Sequence, residues 1–154
     1  MISHWYTHAV KVFRGKSPQH DPQKNTLYRM EREFIGHAVD TRVPAEKLQL
    51  IANHACRKRG VKPPKVKTYR GIRRDARVFG WCDHECIHLN EAFHGCNTSC
   101  LLHELAHWLT PEDHDSHGPE FCGIYRELLD QYKMLPKVAF DALSKKHGVK
   151  VKHE

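Results

Sequence analysis

The chain has 154 residues, 40% of them apolar and 28% charged, with a mean hydropathy of −0.67 and a net charge of +7. That describes one globular domain able to bury roughly two-thirds of its unfolded surface, so folding does not oblige a disulfide or a structural metal. No window reaches ~18 consecutive apolar residues and residues 1–10 (MISHWYTHAV) lack the pattern of a secretory leader. The expectation is therefore a cytoplasmic protein with no membrane partner, whose six cysteines act first as thiols or metal ligands.

Residues 1–24 form an N-terminal extension with a turn-rich patch, SPQHDPQ, and no clear period. From Asn25, an available N-cap, Leu27, Met30 and Phe34 recur at helical spacing. A second helix starts with Pro44 in its first turn, lines Leu48, Ile51, Ala52 and Ala55 on one side, and closes at Gly60. These two helices fill 25–60. Pro63 and Pro64 break the pattern, and 61–95 reads as basic strands: KVKTY (65–69), RVFGWC (77–82) and CIHLN (86–90), rich in β-branched and aromatic residues. The short link 83–85 suits a hairpin, which predicts a small antiparallel three-stranded sheet. In 96–134 the helical period returns. Thr98 or Ser99 caps a helix to about Leu109, Pro111 ends it, and Gly118-Pro119 opens another with Phe121, Ile124, Tyr125, Leu128 and Leu129 inward. Residues 135–154 hold a last helix between Pro136 and Gly148 and a basic tail. The order predicts a single α+β domain, the sheet packed against helices.

Charge is concentrated. Residues 57–77 carry Arg57, Lys58, Arg59, Lys62, Lys65, Lys67, Arg70, Arg73, Arg74 and Arg77 against one acidic residue, which leaves the remainder of the chain at −2. Such a field attracts polyanions, so nucleic acid is a candidate partner, against the plainer reading of a solvated basic surface.

Chemistry concentrates in His103-Glu104-Leu105-Ala106-His107. Histidines four apart on a helix stand one turn above each other and can reach one ion, while the intervening glutamate lies beside a metal-bound water. With fourteen histidines, about one shuffle in twelve of this composition contains the string, so its context must carry the argument. That context is a predicted helix anchored by Leu101, Leu102, Leu105 and Trp108, followed by His117 at the next helix start. His114, Asp113, Asp115 and Glu120 compete for the third ligand position; His117 is preferred because Gly118-Pro119 fixes the backbone there, and Asp113 and Asp115 are read as solvated or as supports for an imidazole.

The HELAH string, the HGPEFC segment at 117–122 and the IHLN strand at 87–90 together resemble the metal-binding core of SprT-like and Spartan zinc metalloproteases. The resemblance covers about a third of the chain, and its nine-residue gap between His107 and His117 is shorter than Spartan's. It implies a minimal zincin-like domain with His103, His107 and His117 on one catalytic Zn2+ and Glu104 as the base. It also implies a protein or peptide substrate, in Spartan one bound to DNA. His88 and Tyr125 are candidate transition-state stabilisers, set against outward alternation on a strand and core packing respectively. Substrate is expected to pair along the 86–90 strand if that strand is a sheet edge.

Cys82, Cys86, Cys96 and Cys100 form two pairs with three-residue gaps, read as thiols or a facultative disulfide ahead of a second, structural zinc. Cys56 and Cys122 are read as core filler. Two other classes stay open: a nucleic-acid-binding module with zinc for structure only, and a deformylase-like hydrolase using Cys96 or Cys100 as a ligand.

Overall fold

A computed structural model describes residues 21–35, 42–70, 79–92 and 95–154. The elements run α1 (Lys24–Ile35), α2 (Ala45–Lys58), β1 (Lys65–Tyr69), β2 (Gly80–Cys82), β3 (Cys86–Asn90), α3 (Thr98–Leu109), α4 (Pro119–Gln131) and α5 (Lys137–His147). This is the α+β arrangement expected. Arg73, Arg74 and Arg77, and the start of the expected 77–82 strand, lie outside the described residues.

The sheet corrects the sequence reading. Its order is β1-β3-β2, with β2 antiparallel to β3 but β1 parallel to it, so the sheet is mixed rather than antiparallel. The short link argued correctly for the β2–β3 hairpin, whose turn closes through Asp83 N–H donating to the Cys86 carbonyl at 3.0 Å. It carried no information about β1, which reaches β3 only after a 16-residue stretch that includes β2, and a crossover of that length permits parallel pairing. β3 is consequently the central strand, and the expectation that it offers an edge to substrate fails. Among the described residues the edges are β1 and β2.

The helices follow their apolar periods. Leu27 and Met30 of α1 and Leu48, Ala52 and Ala55 of α2 are fully buried. Pro44 stands one position earlier than expected, at the N-cap, and Gly60 ends α2 with φ +64. Asn97, rather than Thr98 or Ser99, caps α3, its Oδ1 accepting from Cys100 N–H at 2.8 Å. Gly95, just before that cap, is held so close that a Cβ there would stand 2.0 Å from the Phe79 carbonyl oxygen.

α3 is the axis of the domain. It packs against α2, β2, β3 and α4, and Ser99 together with Leu101 through His107 is buried. Leu101, Leu102, Leu105 and Ala106 join Ile87, Leu89, Phe121, Leu128 and Phe140 in the core, with Cys56 and Cys122 as the expected filler. Burying the three leucines Leu101, Leu102 and Leu105 supplies on the order of 5–9 kcal/mol against chain entropy. That fixes α3 and therefore any polar group carried among those leucines. Among the described residues no helix is long and apolar enough to cross a membrane.

Candidate metal centre

His103 and His107 lie on α3 and His117 stands just before α4, which Gly118 and Pro119 begin. Their ring centroids are 5.0, 5.4 and 4.6 Å apart, and one nitrogen of each falls within 4.8 Å of the others. All three rings are buried. His114 does not join them: it lines a groove of about 780 Å³ beside α4 and stands 3.6 Å from Glu120, which lines the same groove. Asp113 and Asp115 are exposed and hold no imidazole of the triad. The third position belongs to His117.

Two carboxylates from the other end of the chain orient the rings. Glu31 of α1 meets His103 Nδ1 at 2.5 Å, and Asp21 meets His117 Nδ1 at 2.5 Å while its second oxygen accepts from the His117 backbone N–H at 3.2 Å. A carboxylate at Nδ1 fixes the proton there and leaves Nε2 as the donor atom for an ion, the usual support of a metal-bound histidine. Tyr28, one turn before Glu31, places its hydroxyl 3.1 Å from His117 Nε2.

The residues fit a divalent cation on charge as well as geometry. Asp21, Glu31 and Glu104 crowd three imidazoles in a buried volume, and Glu31 Oε2 has no hydrogen-bond partner among the described residues. Burial pushes Asp21 up to about 6, against the pull of the His117 N–H, and pushes Glu104 up to about 7, opposed by His103. Burial also works against a charged His103, but the charge and hydrogen bond of Glu31 outweigh it and raise that pKa; burial holds His117 well below the ordinary range. Carboxylates pushed toward neutrality in this way gain their full charge back beside a dication. Three buried imidazole nitrogens within 4.8 Å of one another form a set that could hold a metal ion.

Sequence reading missed Asp21, Tyr28 and Glu31. Asp21 had no signal, being in a turn far from the motif. Glu31 did have one, since it sits four residues after Leu27 and three before Phe34, inside the apolar stripe of α1 where a carboxylate needs a buried partner.

Of the remaining candidates, Tyr125 is fully buried, its ring 5.4 Å from His103 and 5.5 Å from Phe121, the packing role weighed for it. His88 stacks on Trp81 at 3.8 Å and bonds Asp83 at 3.0 Å; it gathers with Asp83 and Cys86 rather than with the triad. All six cysteines are free thiols, and among the described residues Cys82, Cys96 and Cys100 enter no metal-binding group, so the four-cysteine cluster does not form. Arg57, Lys58, Lys62, Lys65, Lys67 and Arg70 are exposed, while Arg59 is half-buried and donates to the Ala55 carbonyl at 3.1 Å. No family model, no curated protein and no solved structure matches the chain.

Proposed function

We propose that this chain is a zinc-dependent peptidase of the SprT-like, Spartan type, acting on protein substrates that include proteins held on nucleic acid. The observation that carries the reading is the convergence of His103, His107 and His117, with Glu104 buried on the same helix. Zinc, when bound, supplies an acidified water and a polarised carbonyl. Glu104, buried beside His103, would accept a proton from a nucleophilic water and pass it to the departing amine. Asp21 and Glu31 keep the imidazoles aimed during this exchange. An extended substrate pairs along β2, the sheet edge packed against α3, and reads main chain more than side chain. The exposed basic residues at the end of α2 and on β1 draw in nucleic acid.

The test is Glu104→Gln in the zinc-loaded protein, assayed on an unfolded protein chain with and without DNA. Hydrolysis is expected to fall about 10²–10⁴-fold with zinc content unchanged. Equal hydrolysis in the variant overturns the assignment. Absence of hydrolysis in the parent protein, with zinc tightly held, favours the structural-zinc module instead.

A further inference from the structure

We propose that the β2–β3 hairpin binds a second divalent cation, of zinc type, through Asp83, Cys86 and His88. The carboxylate, thiol and imidazole offer one ligand atom each, all within 4.8 Å of one another. Their spacing follows from the hairpin: Asp83 is its first turn residue, and Cys86 and His88 are two apart on β3, so both side chains leave the same face.

The set is already oriented. Asp83 Oδ1 accepts from the backbone N–H groups of Glu85 at 2.8 Å and Cys86 at 2.7 Å, which turns Oδ2 toward His88 Nε2 at 3.0 Å. His88 is held flat against its cross-strand partner Trp81, the rings 11° from parallel. The ligand atoms of Asp83 and His88 thus aim at one point, and Cys86 closes the third side. Carboxylate and thiolate together neutralise a dication, and the mixed oxygen, sulfur and nitrogen donors suit zinc over magnesium or calcium. Asp83 is 31% and His88 18% exposed, so an ion enters from solvent, while Cys86 is buried beneath them. On binding, the Cys86 Sγ–H proton leaves to solvent, His88 exchanges its Nε2 proton for one on Nδ1 through solvent, and the ion replaces the hydrogen bond between Asp83 and His88. The site clamps the hairpin whose β2 packs on α3.

Cobalt titration of the full chain tests this separately from the triad, because only the hairpin set contains sulfur. Two equivalents of Co2+ are expected to bind, with a near-ultraviolet thiolate-to-cobalt charge-transfer band. Cys86→Ser is expected to abolish the band and leave one equivalent. His117→Ala is expected to keep the band and lose the other equivalent. Should Cys86→Ser fail to fold, His88→Gln is expected to weaken cobalt binding in the band at least about tenfold, the loss that even outer partners of a ligand cause. No band at saturating Co2+ overturns the proposal. So does a band that survives Cys86→Ser but disappears in Cys82→Ser or Cys100→Ser.

Discussion

The domain gathers three side chains that could hold a metal ion in two places, by opposite means. In the helical centre the ligands are all imidazoles, fully buried, and the carboxylates that orient two of them, Asp21 and Glu31, come from residues about 70 to 100 positions away in sequence. In the β2–β3 hairpin the whole set lies within six residues, with Asp83 and His88 partly exposed over a buried Cys86, and the carboxylate that orients the histidine belongs to the set itself. A separate supporting shell fixes imidazole direction without itself supplying a donor to the set. A support that is itself a donor fills the position it orients. Both sets offer three donors, so the difference lies in whether the carboxylate that aims the ring stands outside the set or belongs to it.

The sharpest way to break this comparison is to remove a ligand from each side. His103→Ala is expected to abolish zinc binding at the helical centre, measured as loss of one ion on dialysis. It also leaves Glu31 buried without its partner, a further cost of roughly 1–3 kcal/mol in urea unfolding. Next in size, Glu31→Gln and Asp21→Asn each keep the shape and remove the charge. Each is expected to weaken zinc binding about 10–100-fold by competition with a chromogenic chelator, and to lower hydrolysis through zinc occupancy rather than at zinc saturation. If neither moves zinc affinity, the orienting carboxylates are packing accidents and the contrast between the two regions collapses. Comparable in size is chelation of the intact protein. Binding to the folded state alone contributes about 2.7 kcal/mol at a hundredfold excess over Kd, so stripping zinc is expected to lower Tm by roughly 5–10 °C.

The same contrast explains what the sequence disclosed. The HExxH spacing, the leucines that anchor α3 and the Gly118-Pro119 start that presents His117 are local facts, and the residues at those positions sit where the spacing puts them. The hairpin was legible for the same reason, because a three-residue link leaves a chain little choice. The parallel placement of β1 was not, since it depends on how residues beyond the hairpin route the chain. The supporting carboxylates were hidden likewise: Asp21 meets His117 only because the fold brings the residues just before α1 to the start of α4, 96 positions further along the chain. Glu31 was the exception, a charge in an apolar stripe, and it was passed over because Phe34 completed the helical period without it. The three-residue cysteine gaps argued for thiols ahead of a second zinc, and Cys82, Cys86, Cys96 and Cys100 are all free thiols.

The smallest effect serves as the control for both regions. Arg126 of α4 grips Asp141 of α5 with two parallel bonds of 2.7 Å each, away from either set of ligands. The Arg126 hydrogen bonds hold the Asp141 carboxyl below its ordinary 3.8 despite some opposing desolvation. A depressed carboxylate pKa means that the folded state binds fewer protons than the unfolded chain through this range, so the pair's contribution is complete above 3.8 and is lost as pH falls through the lower folded value. Asp141 is 38% exposed, and solvent screening limits the contribution to about 0.5–1 kcal/mol. Asp141→Asn is expected to lower stability by that amount at pH 7, to match the parent in strong acid, and to leave both cobalt signals intact. A change in either cobalt signal would mean that the α4–α5 contact reaches the metal sites, and that the two regions are coupled through α4 rather than independent.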